Sequence, residues 1–403
     1  MTPFVPLRIS SEYSISNSII RLQELVDQAR QYSMTALALT DQMNMFAAVK
    51  FYRLCRENGI KPILGVNALF QEEQSAKLHH LILLAKDEKG YLSLCRLLSR
   101  AYLRRGINKE PPHLDWSWLQ ELEPGHLIAL SAAQEGVIGH YVIEQKWQIA
   151  EYWLEQCLTI FQDNFYLEVQ RFFKVPLSLD NWYHAAFETL QTKAEQVLQA
   201  SVRLAKKFAV PVVATHPVQF MQAQDFIAHE VKTCITEGQV LANEHRPLYF
   251  HPCQYFVDDK QMHRLFADIP SALENNKEIA KRCSVNLVLG KTFFPVFKTP
   301  DGESHAQYLE KLAKQGLIER MKYLFPAEEQ RAQHWPLYEK RLQFELHTII
   351  EMGFACYFLI VADFINWAKH HDCPVGPGRG SGAGSLVACL LYTSPSPRDK
   401  RQS

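Results

Sequence analysis

The 403-residue sequence has no net charge to offer a polyanion, since 43 Lys and Arg residues balance 43 Asp and Glu. A whole-chain field for nucleic acid or membrane is thereby excluded, and any anion contact must come from a local patch. Cysteine occurs nine times between Cys55 and Cys389, yet never as Cys-x-x-Cys and never at zinc-finger spacing. An odd, scattered set excludes a disulfide scaffold and a structural zinc site, and reads as the reduced thiols of a cytoplasmic protein. No apolar run reaches 18 residues, and the run over 357–362 is stopped by Asp363. The N-terminus also lacks the basic and apolar regions of a secretion signal, so the expectation is a chain that is neither secreted nor inserted in a membrane.

What is present is apolar patterning. Hydrophobic residues make up 47% of the chain, ample for two or more cores. Over residues 4–219, short apolar runs alternate with amphipathic helical stretches, the pattern of an α/β domain with parallel strands. Seven strands are predicted, at 5–9, 36–39, 63–66, 80–84, 127–130, 165–169 and 210–214, enough for a seven-stranded barrel. Ile19, Ile20, Leu22, Leu25, Val26 and Ala29 form one helix face, and a second helix from Met45 has Asn44 as N-cap and Gly59 as its stop. Residues 225–287 read as a helical connector. Beyond a proline-marked crossing at 294–300, long helices are predicted over 306–323 and 335–352. Arg320, Lys322, Lys340 and Arg341 form a modest basic group there, read as a solvated face.

The densest glycine and serine lie in PVGPGRGSGAGSL, residues 374–386. Glycines let backbone N–H groups converge on a phosphate without Cβ obstruction, and the apolar run over 383–391 reads as a helix that starts behind them. The candidate anion-binding residues are Gly378, Arg379, Gly380, Ser381, Gly382 and Ser385, with Arg379 and the two serines as side-chain donors. A Walker A loop would need a Lys that is missing. Gly378, Gly380 and Ala383 satisfy a dinucleotide-binding pattern, but the 20 residues that follow are too few for its βαβ unit.

The segment RLQFELHTIIEMGFACYFLIVADFINWAK, followed by PVGPGRGSGAGSLVA, closely resembles the start of the palm in the replicative family C DNA polymerases, the α subunits of bacterial DNA polymerase III. The resemblance extends over nearly the whole chain, from about Phe4 to Leu390. It implies a distorted (β/α)₇ barrel of the polymerase-and-histidinol-phosphatase (PHP) type over 1–224. A connector over 225–287 and the start of a polymerase β-like palm over 288–391 would follow. In that palm the glycine-rich loop holds the triphosphate of the incoming deoxynucleotide.

Metal-binding barrels of this type carry ligands just past the C-terminal ends of their strands. The resemblance places Arg8 and Ser10 where those barrels have His-x-His, Asn17 for an aspartate, Gln42 for a histidine, Asn67 for a glutamate and Ala133 for a cysteine. Pro217 and Gln219 replace a final Asp-x-His, leaving His80 as the ligand position retained. One histidine cannot hold a divalent ion, so the barrel is expected to bind no metal and to persist as scaffold. His79 and His216 read as structural histidines, and Asp41 as a helix-capping carboxylate.

No Asp-x-Asp occurs in the chain, and YTSPSPRDKRQS (392–403) changes abruptly to Ser, Pro, Arg and Lys. The expectation is a truncated polymerase with a foreign tail, inactive by itself. In the complete protein, carboxylates beyond this sequence would hold Mg²⁺. The resemblance further implies DNA primer-template and deoxynucleoside triphosphates as substrates, and the sliding clamp, the clamp loader and a 3′–5′ proofreading exonuclease as partners. The alternative expectation is a non-catalytic module that docks the exonuclease.

Overall fold

The computed structural model describes residues 4–72, 77–104, 111–174, 181–291, 293, 295–375 and 384–392. It divides into two compact units, Met1–Val288 and Leu289–Ser403.

The first unit is built on one curled sheet. Its strands are β1 (Ala36–Gln42), β2 (Lys61–Gln71), β3 (Leu78–Ala85), β4 (Leu114–Asp115), β5 (Leu127–Leu130), β6 (Phe165–Gln170) and β7 (Val212–Thr215). They lie in the order β1-β2-β3-β5-β6-β7, with the short β4 beside β2. Alternation along each strand separates two apolar layers. Ala36, Ala38, Ile63, Ile82, Leu84, Ile128 and Leu130 fill the interior together with Val5 and Leu7. Their neighbours Leu37, Leu39, Leu64, Leu83 and Ala129 join the helices outside. The helix Leu22–Gln31 buries Leu22, Leu25, Val26 and Ala29, the face its spacing predicts. The helix expected from Met45 begins at Ala48 and ends before Gly59, whose φ of 71° favours glycine.

Two strand expectations are corrected. β3 runs antiparallel to both β2 and β5. The link from Gln71 to Leu78 is too short for the crossover a parallel neighbour requires. The apolar segment over 5–9 is extended but forms an isolated bridge, Ile9 to Val218, in place of a regular strand. Pro6 has no N–H to give, and the Ile9 N–H is taken by the Thr40 hydroxyl at 3.1 Å. The segment still spans the sheet edges. Pro6 O accepts from Ala38 N and Ile9 O from Thr40 N on β1; on the other side Arg8 O accepts from Val218 N, and Ser10 N donates to Val218 O.

Residues of the expected connector pack on this barrel. The helix Pro270–Arg282 lies across the N-terminal ends of the strands, where Lys61 Nζ donates to Ala280 O at 2.8 Å. Asn276 Nδ2 donates to the carbonyls of Val5 and Ala214. That end of the barrel is plugged, which leaves the C-terminal ends of the parallel strands, together with the start of the antiparallel β3, as the open mouth.

The second unit is helical. His305–Leu324 presents Leu309, Ala313, Leu317 and Met321 as one stripe against Leu342, Leu346 and Ile349 of Glu328–Glu351 and Leu359 of Ala355–His370. Val387 of the short helix Leu386–Leu391 joins this core. The helix expected from 335 starts at Glu328 and runs through Pro336. Proline removes one internal hydrogen bond, while Glu328 and Glu329 favour the earlier start by their charge at the helix N-terminus. No single helix among the described residues is long and apolar enough to cross a membrane.

Candidate functional site

At the mouth, side chains from strand ends far apart in sequence converge on a cleft of about 370 Å³. Arg8, Ser10, Asn17, Gln42, Asn67, His80 and Gln219 line it, so most positions singled out in the sequence do meet; Ala133 and Pro217 are not among the lining residues. Arg8 dominates the electrostatics. Its guanidinium is buried, donates to Glu168 Oε1 on β6 at 3.0 Å, and is paired on its other side with Glu135. Burial alone would lower the guanidinium's pKa, but Glu135 and Glu168 outweigh it and raise it above its ordinary value. Burial pushes the Glu135 carboxyl upward in turn, and Arg8, then His80, overcome this to hold it below the usual carboxylate range.

Local backbone explains the aim of Glu135. Ala132 and Ala133 take left-handed φ values of 57° and 45°, folding the chain back just after β5. Gly136 then passes so close that a Cβ there would sit 1.8 Å from Ser131 O. Glu168 is completely buried, and Oε1 also accepts from Gln170 Nε2 at 2.8 Å and from the Thr215 hydroxyl. Neither glutamate was expected from sequence. Their signal was an uncompensated charge inside each of two apolar runs, Arg8 in 5–9 and Glu168 in 165–169, which must find partners when buried.

His80 Nδ1 lies 2.8 Å from Asn67 Oδ1, a carbonyl that can only accept, so Nδ1 carries the proton. Burial keeps this ring's pKa low against the pull of Glu135. His79 is held at about 4 by burial, and His216, also at about 4 by burial, sits 3.1 Å from Tyr255 O. Asp41 accepts from Ser11 N at 2.6 Å and from the hydroxyls of Ser11 and Ser14. It therefore holds Ser11, which is itself the N-cap of the short turn Glu12–Ser14, and does not cap the helix after β1. Among the described residues, no three His, Cys, Asp or Glu side chains are grouped to hold a metal ion.

The second candidate site is the glycine-rich segment. Gly378, Arg379, Gly380, Ser381 and Gly382 lie outside the described residues. Ser385 is the N-cap of Leu386–Leu391; its hydroxyl accepts from Ala388 N at 3.2 Å and donates to Glu345 Oε2 at 2.9 Å. The same carboxylate oxygen accepts from Val387 N at 3.1 Å. Glu345 thus fixes the start of the helix that follows the glycines, a role its sequence position on a long helix did not reveal. Gly316 permits the contact from the opposite side, since a Cβ there would lie 2.4 Å from Leu390 O.

Residues 6–172 match the family model described as PHP domain, and residues 307–395 match that of the bacterial DNA polymerase III alpha NTPase domain. Curated relatives named DNA polymerase III subunit alpha align along almost all of the chain. The protein of Neisseria meningitidis serogroup A is 44% identical over 389 residues, which is 96% of this chain and 33% of the relative. This chain belongs to the DNA polymerase III α-subunit family. The Pseudomonas aeruginosa relative is 42% identical over 96% of the chain and 32% of its own length, and the Escherichia coli relative 41% over the same shares. The chain spans about a third of the length of these curated relatives. In this family frame, Arg8, Glu135 and Glu168 lie inside the PHP match, whereas Glu345 and Ser385 lie inside the polymerase match.

Proposed function

We propose that the chain is part of a replicative DNA polymerase whose complete form extends a primer by template-directed deoxynucleotidyl transfer. The observation that carries this reading is the 41–44% identity to α subunits sustained over 96% of the chain, through both family matches in one order. In the complete protein Gly378, Arg379, Gly380, Ser381 and Gly382 bind and orient the triphosphate, with Ser385 anchoring the helix behind them. Two Mg²⁺ ions, held by carboxylates this sequence does not contain, would activate the primer 3′-hydroxyl and neutralise the triphosphate. The 403-residue chain alone does not polymerise, for want of an Asp-x-Asp pair. Its barrel holds no metal, because a buried guanidinium stands among the old ligand positions. Partners follow from the same role: primer-template DNA, the sliding clamp, the clamp loader and the proofreading exonuclease, in the cytoplasm.

Steady-state primer extension tests it. In the complete enzyme Arg379→Ala should lose about 2–4 kcal/mol of transition-state stabilisation, the scale for one preorganised donor. Arg379→Lys should recover only part, since a point charge cannot reproduce the guanidinium fork. Unchanged kcat/KM for deoxynucleotide in Arg379→Ala, or primer extension by the 403-residue chain itself, would overturn the reading. A second reading, a docking module for the exonuclease, is favoured by barrel layers that stay packed with apolar side chains although the described residues of the mouth hold no ligand set. Titration calorimetry of the chain with the exonuclease decides it, and absence of heat in a folded sample counts against it.

A further inference from the structure

The charges at the barrel mouth do not cancel. Arg8 is the cation facing the cleft, against Glu135 and the exposed Glu237 on its walls and Glu168 directly behind the guanidinium. Lys232, on the helix Phe226–Glu237 that forms one wall, is engaged by the Ser18 carbonyl at 2.6 Å. His80 is kept neutral near pH 7 by burial. The cleft is therefore anionic, which excludes phosphate and carboxylate ligands, while Arg8 excludes a small divalent cation.

Two buried acceptors at this end of the barrel also lack a donor. Gln219 is only 9% exposed and lines the cleft, yet its Oε1 has no hydrogen-bond partner among the described residues; the second oxygen of Glu168, completely buried, has none either. A buried acceptor without a donor costs about 1–3 kcal/mol, so a ligand rich in N–H groups gains what these atoms lack. Tyr249, 53% exposed, and Phe250 supply ring faces at the rim, suited to a cation. Ser10, Ser16, Asn17 and Thr236 add neutral groups of the kind that hydrogen-bond a peptide backbone.

We propose that this cleft receives a basic side chain, a guanidinium in the first place, presented by a segment of a partner protein. Glu237 and Glu135 supply the charge, Gln219 Oε1 accepts an N–H, and Tyr249 covers the cation. The site stands apart from polymerisation and holds whether or not the complete protein extends DNA.

The test uses the whole 403-residue chain and ligand-observed NMR with Nα-acetyl-arginine methylamide and its neutral isostere, the citrulline analogue. The arginine compound should bind about tenfold more tightly, and putrescine more weakly than the arginine compound. Glu237→Gln and Tyr249→Ala, both at exposed positions, should each reduce arginine binding several-fold, roughly 3–10-fold, while leaving the unfolding temperature unchanged. Equal binding of the arginine and citrulline compounds overturns the proposal, as does arginine binding that neither variant alters. Tighter binding of putrescine overturns the peptide-borne form, since the occupant is then a free diamine.

Discussion

Arg8 and Glu168 in the first unit meet at 3.0 Å with side chains 5% and 0% exposed, whereas Arg341 and Glu345 in the second meet at 2.6 Å with Arg341 57% exposed. The shorter contact is the weaker one. Water solvates Arg341 with or without its partner, so its pairing adds little. Arg8 has Glu168 and the part-exposed Glu135, while Glu168 has Arg8 and a few neutral polar neighbours, so removal of Arg8 strands a carboxylate in the interior. The two carboxylates consequently do different things. Glu168 balances charge at the barrel mouth, while Glu345 uses one oxygen to hold the Ser385 hydroxyl and the Val387 N–H at the start of a helix.

Breaking the buried pair should have the largest effect. Arg8→Met removes the cation and keeps the volume, and should lower stability by about 3–5 kcal/mol in urea unfolding of the first unit. Adding Glu168→Gln to it should restore part of the loss, because the stranded charge disappears. A double variant no more stable than Arg8→Met alone would show that Arg8 acts by packing and not by charge.

An intermediate effect is expected from Glu345→Ala. Two donors at the start of Leu386–Leu391 lose their acceptor, so the second unit should lose about 1–3 kcal/mol, read from its own denaturant transition. Arg341→Ala sharpens the contrast at the small end. It removes the exposed partner of the same carboxylate and should cost about 0.5 kcal/mol or less. Equal losses for the two variants would mean that the ion pair, and not the capping, holds Glu345 in place.

How much of this was legible beforehand differs between the regions for a physical reason. Local periodicity exposed the helix face Leu22–Ala29 and six of the barrel's strand positions, because both patterns repeat within a few residues. The antiparallel β3 was missed although the short link to β2 announced it. Arg8 was recognised as a lost ligand position, but its partners lie 127 and 160 residues away, a pairing that only the closed barrel creates. Glu345 reaches Ser385 across 40 residues in the same way. Helix boundaries near Pro336 were misplaced because one missing hydrogen bond is a small penalty in a helix of 24 residues.

The central claim is that a buried guanidinium, and not a metal ion, is the partner of Glu135 and Glu168 at the barrel mouth. Elemental analysis of the purified chain, paired with its thermal unfolding in chelator and in added zinc or manganese, tests this most directly. The account predicts less than a tenth of an equivalent of metal, roughly the background of weak surface sites, and the same unfolding temperature in all three conditions. A stoichiometric metal whose removal lowers the unfolding temperature of the wild-type chain would contradict it.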